Sequence, residues 1–218
     1  MKPESIVNVS TAATGSFTLT IDSGFTYANF ADTTGLNLIS VVGVTSNQIN
    51  LAAWAPFPGD AGNVWNTVAR SYNRSWSTSW RMEMGVADGF TIQWATDPTL
   101  LGSVGSACGR VESNAVPYAL SVRTWIFNKA SIFTANVMTS ELDLGFNPRQ
   151  DLFYWLDYNH SSGTLRMFVS STSTKPTTPS HQWTGIAFPG TAYHIGIGAS
   201  TGGASDNHIL KAWSLSLL

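Results

Sequence analysis

The sequence predicts an all-β protein built as an antiparallel β-sandwich. Apolar and polar residues alternate with a period of two in many short runs, and clusters of Gly, Pro, Asn and Ser separate these runs. This pattern is typical of antiparallel strands rather than of βαβ units. No helical pattern longer than a turn or two interrupts it. Sandwiches often reach this length as one unit, so we expect residues 1–218 to form a single domain.

Six runs along the chain predict strands. In five of them the apolar face is Phe17-Leu19-Ile21, Trp80-Met82-Met84, Leu165-Met167-Val169, Ile195-Ile197 and Trp213-Leu215-Leu217. The sixth is "GVADGFTIQW" (Gly85 to Trp94), in which Phe90, Ile92 and Trp94 alternate with Thr91 and Gln93. It predicts a half-buried strand whose first turn carries a carboxylate, Asp88. An acid there is either a turn residue or a group that faces a ligand.

The stretch "SSTSTKPTTP" (Ser170 to Pro179) has the composition of a linker. Strand-like sequence continues beyond it to Leu218, but too few residues remain for a second domain. We therefore predict a long surface loop inside one domain.

Composition limits the kinds of binding partner that we expect for this protein. Only 11% of the residues are charged and the net charge is -2, which argues against nucleic acid as a partner and favours neutral ligands. No apolar run approaches the ~18 residues of a membrane span, so we expect no membrane insertion. Of the nine tryptophans, we expect most to lie in the core.

The predicted location is extracellular or on the cell surface, as a domain of a secreted protein. Met1 is followed by Lys2-Pro3-Glu4 without an apolar segment, which predicts no signal peptide in this sequence. Three Asn-x-Ser sequons, at Asn8, Asn73 and Asn159, are compatible with secretion.

Several motifs occur in an order and at spacings that are specific together. They are "FADTTGLNL" (Phe30 to Leu38), "AGNVW" (Ala61 to Trp65), "SWSTSW" (Ser75 to Trp80), "ADGFTIQWATDP" (Ala87 to Pro98), "DYNHSSGTLRMFVS" (Asp157 to Ser170) and "HIGIGASTGGASDNHILKAWSLSLL" (His194 to Leu218). In this arrangement the chain resembles the L-type (legume-lectin-like) lectins over nearly its whole length. The resemblance implies a concanavalin A-like jelly roll that binds sugar in loops at one end of its front sheet.

The resemblance also implies a carbohydrate-binding set: Asp88, Gly105, Trp125, Phe127, Asn128, Gly202, Gly203 and Ala204. In it the Asp88 carboxylate accepts hydrogen bonds from two sugar hydroxyls, for which a strong, fixed acceptor is suited. Asn128 donates through its amide, and Phe127 or Trp125 stacks on the sugar ring. The glycine-rich segments at Gly105 and Gly202 to Ala204 contact the sugar through backbone N–H groups, which glycine leaves accessible.

The chain departs from the family where the family holds calcium and often a second metal. Members carry Glu-x-Asp-Thr before the Asn, whereas this sequence reads "LSVRTWIFN" (Leu120 to Asn128) and has Arg123 or Thr124 in place of the Asp. Hard cations need several oxygen ligands, commonly carboxylates. We therefore expect no family-type metal and no cofactor, although Asp97, Glu141 or Asp143 could hold a cation in a different arrangement.

We predict a non-catalytic carbohydrate-recognition module whose partners are glycans or glycoproteins. Pairing into a homodimer through an exposed sheet edge is compatible with it. One alternative is a structural or protein-binding adhesin module that has lost sugar binding. Another is a β-glucan hydrolase, since "SELDLGF" (Ser140 to Phe146) is similar to the Glu-x-Asp-x-Glu run of laminarinase-like enzymes, but Gly145 replaces one of the two carboxyl groups that retaining hydrolysis needs.

Overall fold

The protein is a sandwich of two antiparallel β-sheets. The computed structural model describes residues 24–40, 43–52, 59–86, 88–124, 128–203 and 207–218. The predicted strand of Phe17, Leu19 and Ile21 lies outside these residues. Within them the predicted all-β, antiparallel jelly-roll class is confirmed, and the only helical element is a single 3-10 turn at Gly105–Ala107.

The described residues form sixteen strands. They are β1 (Phe25–Tyr27), β2 (Leu36–Ile39), β3 (Gly43–Thr45), β4 (Gln48–Ala52), β5 (Ala61–Asn66), β6 (Arg70–Ser71), β7 (Trp76–Met84), β8 (Gly89–Ala95), β9 (Tyr118–Arg123), β10 (Lys129–Thr134), β11 (Val137–Asp143), β12 (Asp151–Asn159), β13 (Thr164–Ser170), β14 (His181–Trp183), β15 (Ala192–Ser200) and β16 (His208–Leu217).

One sheet, here the back sheet, has the order β14-β13-β12-β7-β16-β4-β3, with β1 also paired to β16. The other, the front sheet, has the order β11-β10-β9-β8-β15-β5-β2, with β6 also paired to β15. Neighbours in space are often distant in sequence, as in the pairing of β7 with β16. The Ser/Thr/Pro stretch leaves β13 and returns as β14 beside it, so it is a largely exposed loop between neighbouring strands, as predicted.

The main core lies between the two sheets. Along β7 and β12 every second residue is buried, which is the period-two pattern that the sequence predicted. Six of the seven tryptophans in the described residues are buried, as predicted for most of them, and only Trp155 is partly exposed. Trp76 and Trp94 meet across the sandwich with ring centroids 5.3 Å apart, which joins the two sheets.

The prediction that β8 is half-buried is wrong, because all seven of its residues are buried. Phe90, Ile92 and Trp94 face the main core as expected. The opposite face is covered by residues 96–117, which connect β8 to β9, and a second apolar cluster forms there around Trp65 and Val111. The front sheet is therefore buried on both faces in this region.

The register of the front sheet places four strand ends, and the three connections that join them to the chain, at one end. Gly89 at the start of β8 pairs with Arg123 at the end of β9 and with Ser200 at the end of β15. Arg123 in turn pairs with Lys129 at the start of β10. The residues just beyond these ends, Asp88, Thr124, Asn128 and Thr201, consequently belong to the same edge of the sandwich. We call this edge the loop end.

Candidate functional site

Asp88 lies at the loop end, where the chain enters β8. Its backbone carbonyl accepts a hydrogen bond of 2.7 Å from the N–H of Thr124, which ties the two connections together. The glycine that follows, Gly89, is required there because its φ is 145° and a Cβ would overlap the carbonyl of Val122 on β9. The Asp-Gly pair thus combines an acid with a close approach of two backbones.

Asp88, Gly105 and Gly202 converge although they come from three separate segments. A Cβ added at Gly202 would overlap the Asp88 carboxylate and would lie 3.2 Å from the Cα of Gly105. The Gly105 N–H donates to the carbonyl of Thr201 at 3.2 Å, so the two glycine segments are also bonded to each other. The structure therefore brings together three of the eight residues that the sequence analysis selected.

The Asp88 carboxylate is half-buried and incompletely hydrogen-bonded. Its Oδ2 is buried, and the described part of the chain offers that atom no donor. Burial raises the pKa of the Asp88 carboxyl above its ordinary value, and a hydrogen bond from its own backbone N–H opposes that rise. A buried carboxylate oxygen without a donor is costly in the free protein.

Buried polar side chains of the front sheet hold the glycine-rich segment in place. Asn63 donates to the carbonyl of Gly109 at 2.9 Å and accepts from the N–H of Gly102 at 2.7 Å. Ser200 Oγ accepts from the Gly109 N–H at 3.0 Å and donates to the carbonyl of Gly105 at 3.0 Å.

Gln93 extends this support along β8. Its side chain donates to the carbonyl of Gly109 at 3.2 Å and accepts from the N–H of Val111 at 2.9 Å. Sequence reasoning missed Asn63, Gln93 and Ser200 as supports of the site. Their signal is a polar side chain at the outward positions of strands that are otherwise apolar or small.

Asn128 and Gly203 are exposed residues at the loop end. Asn128 adopts a left-handed φ of 42°, and its carbonyl accepts from the N–H of Leu144 at 2.8 Å. Gly203 is exposed, and a Cβ there would meet no neighbour among the described residues. The other three predicted binding residues, Trp125, Phe127 and Ala204, lie outside the residues that the structure describes.

The acids that the sequence offered as alternative metal ligands are engaged elsewhere. Glu141 pairs with Arg123, and Asp143 pairs with Lys129 at 2.7 Å. Asp97 accepts hydrogen bonds from the N–H and hydroxyl of Thr99, which lower the pKa of its carboxyl. Across the described ranges no group of three or more His, Cys, Asp and Glu side chains could hold a metal ion. With Arg123 or Thr124 in place of the family's acid, the described residues do not fit the calcium that the resemblance implies.

Comparison with solved structures identifies the fold. The chain superposes on the Bauhinia forficata lectin in complex with GalNAc with a TM-score of 0.73 and 18% identity, covering 88% of this chain and 96% of the lectin. The exoplasmic/lumenal domain of VIP36 in its Ca2+/Man3GlcNAc-bound form matches with a TM-score of 0.72 and 18% identity over 88% of both chains. Arcelin-5, a lectin-like defense protein from Phaseolus vulgaris, matches with a TM-score of 0.72 and 15% identity over 88% of this chain and 96% of its own.

These matches show that the chain has the L-type lectin-like jelly-roll fold that its motifs predicted. No protein-family profile matches the sequence, and no curated protein matches it either. Among the described residues, no helix is long and apolar enough to cross a membrane.

Proposed function

We propose that this protein is a non-catalytic carbohydrate-binding module that recognises neutral glycans or glycoproteins at its loop end. The observation that carries the proposal is the half-buried Asp88 carboxylate, which meets two glycine segments and has one oxygen without a donor in the described chain. Sugar hydroxyls are donors, and a carboxylate is their strongest acceptor in a protein. Asp88 accepts from two hydroxyls in this proposal.

The remaining contacts are assigned from the resemblance to the L-type lectins, and of their residues Asn128 and Gly203 lie at the loop end. Asn128 donates through its side-chain amide, and the backbone N–H groups of Gly203 and Ala204 donate from the opposite connection. Phe127 or Trp125 provides the aromatic surface for the sugar ring. The exposure of Asn128 and Gly203 supports this arrangement, because a ligand can reach both residues.

The pairing of the acids on β11 favours a binding module over a hydrolase. A retaining glycosidase needs two carboxyl groups about 5 Å apart that are free to act as nucleophile and acid. Glu141 and Asp143 are each paired with a basic side chain, and Gly145 has no side chain. The fold neighbours named above are lectins or lectin-like proteins, which agrees with a protein that binds rather than cleaves sugar.

An extracellular or cell-surface location and a homodimer are further parts of the proposal. The sequon residues Asn73 and Asn159 are both exposed, so an oligosaccharyltransferase could reach them in the secretory route. The strand β3 lies at the edge of the back sheet and is exposed along its whole length. Such an edge supports pairing with a second copy, for which the molecular mass in solution is the direct measurement.

A glycan array of neutral oligosaccharides, run in calcium and again in EDTA, tests the main proposal. We expect binding in both conditions, and we expect Asp88→Asn to weaken it about tenfold or more, since a hydrogen bond to a charged acceptor contributes about 1.5–3 kcal/mol. Asp157→Asn on the outer face of the back sheet is the matched control and should bind as the wild type does. Absence of binding by the wild type in both conditions would instead favour the protein-binding adhesin module.

A further inference from the structure

One segment, residues 144–150 between β11 and β12, is hydrogen-bonded to two of the connections at the loop end, the one from β9 to β10 and the one from β7 to β8. At its start, the Leu144 N–H donates to the carbonyl of Asn128 at 2.8 Å. Near its end, Arg149 donates to the carbonyl of Thr124 through Nε at 3.2 Å and Nη2 at 2.7 Å. Its last residue, Gln150, accepts from the N–H of Met84 at 3.3 Å. We call residues 144–150 the buttress segment.

The buttress segment has internal bonds that fix its own shape. Asn147 Oδ1 accepts from the N–H of Arg149 at 3.0 Å, which closes a turn around Pro148. The side chain of Gln150 donates to the carbonyl of Asn147 at 2.8 Å. Leu144 is buried in the main core and anchors the segment to the sandwich. The guanidinium of Arg149 is thereby presented from a constrained backbone.

These bonds connect the buttress segment to the stretch of chain around Asp88 at two points. Thr124, which Arg149 holds by its carbonyl, donates its own N–H to the carbonyl of Asp88 at 2.7 Å. Met84, which Gln150 holds, is the last residue of β7 and stands four positions before Asp88 in the chain. The segment that carries the candidate acceptor is therefore held at its two ends by groups connected to the buttress segment.

We propose that Arg149 is a positioning residue and that the buttress segment organises the sugar site with protein groups alone. The inference rests on the proposed function for its effect on sugar binding. Two observations support it. The described residues contain no group of three or more His, Cys, Asp and Glu side chains that could hold a metal ion, and a guanidinium binds the carbonyl of Thr124 in the stretch where the resemblance implies an acid.

The role assigned to Arg149 is to restrict the backbone, without contact to the sugar. A guanidinium donates two N–H groups in a fixed fork, and here both converge on one carbonyl oxygen. Loss of the fork removes this restraint on Thr124, and with it the support for the orientation of Asp88 and of the nearby Asn128. Sites held within about half an ångström of their working geometry lose affinity when such support is removed.

Amide hydrogen exchange of the full chain tests the positioning step without any glycan. We expect Arg149→Ala to raise the exchange rate of the Thr124 N–H about tenfold or more, because Thr124 loses the guanidinium that binds its carbonyl. Arg149→Lys keeps one charged donor and should restore part of the protection, whereas Arg149→Gln should restore less. Arg166→Ala is the matched control, because Arg166 is an exposed arginine whose Nε donates to Gln182 on the back sheet.

Glycan affinity, measured on the same variants in EDTA, tests the functional step. We expect Arg149→Ala to weaken binding about tenfold, Arg149→Lys to recover part of it, and Arg166→Ala to leave it unchanged. Unchanged Thr124 exchange in Arg149→Ala would overturn the positioning role, whether or not the protein binds glycans. Wild-type binding that disappears in EDTA would overturn a site organised by protein groups alone. Faster Thr124 exchange in a protein that binds no glycan would retain the positioning role and reject only the proposed function.

Discussion

The outer faces of the two sheets are built in different ways. On the back sheet, outward residues of β7 and β12 alternate with buried ones and remain partly exposed, and charged side chains such as Arg81 and Asp151 pair there in contact with solvent. On the front sheet, β5 and β8 are buried throughout, because residues 96–117 lie across their outer face. Polar side chains on the front sheet are consequently bonded to the backbone of that covering segment. The candidate sugar site forms where this cover reaches the end of the sheet.

The difference shows what each polar side chain does. Arg81 and Asp151 are partly hydrated on the back sheet, so their hydrogen bonds replace bonds to water and contribute little net stability. Asn63 and Gln93 lie out of water on the front sheet, so each of their donors and acceptors must be satisfied by protein. We therefore expect the partly hydrated pair on the back sheet to tolerate substitution, whereas the buried amides on the front sheet maintain the shape of the site.

The largest expected effect is on stability and compares equal numbers of hydrogen bonds. Asn63→Leu removes two buried bonds to the covering segment and should lower the free energy of unfolding by about 2–4 kcal/mol, since each abandoned buried partner costs about 1–3 kcal/mol. Arg81→Leu also removes two bonds, both to Asp151, and should cost about 1 kcal/mol or less. Urea unfolding of both variants measures the difference. Equal losses would contradict the contrast between the two faces.

A smaller effect is expected on binding alone. Gly202→Ala places a Cβ against the Asp88 carboxylate, which can move aside at little cost in stability but then leaves its position at the site. We expect glycan affinity to fall about tenfold or more, with the melting temperature nearly unchanged. Gly43→Ala is the matched control, because Gly43 lies on β3 of the back sheet and a Cβ there meets no described atom. Equal binding by the two variants would place the sugar away from Asp88.

The smallest effect is on the melting temperature, which substitution of Asp88 and of Asp151 should shift in opposite directions. The pKa of Asp88 is raised by burial, so the folded state binds its proton more tightly, and stability falls as pH rises from the ordinary value of 3.8 through the higher folded pKa. Asp88→Asn should therefore melt at a higher temperature than the wild type at neutral pH. The gain should shrink as the pH falls below that window.

Asp151 should behave in the opposite way. Burial would raise its pKa, but hydrogen bonds from Arg81 and Lys211 outweigh burial and lower it. Its contribution to stability is present above the ordinary pKa of 3.8 and is lost as pH falls through the lower folded pKa. We expect Asp151→Asn to melt up to about 2–4 °C below the wild type at neutral pH, the shift for about 1 kcal/mol. Thermal melts of both variants across acid and neutral pH check the two signs, and shifts of the same sign would contradict the comparison.

Sequence patterns predicted the back sheet better than the front sheet, for a physical reason. Alternation reports only that the two faces of a strand differ, and on β7 the second face meets water, so the prediction of a half-buried strand applies. On β8 the same alternation separates an apolar core from a polar but buried layer. Nothing local to Thr91 and Gln93 distinguishes a hydroxyl or amide that meets water from one that meets the backbone of a distant segment.

The sequence by itself determined the all-β class, the lectin-like order of its motifs, the Asp88-Gly89 pair at the start of a strand, and the missing acid at Arg123 or Thr124. These follow from the identity of residues and from periodicities of a few positions. Only the tertiary structure decided that Gly105 and Gly202 meet Asp88, that residues 96–117 cover the front sheet, and that Arg149 holds the carbonyl of Thr124. Each is a contact between separate segments that depends on how the chain folds back on the front sheet, and no local pattern encodes it.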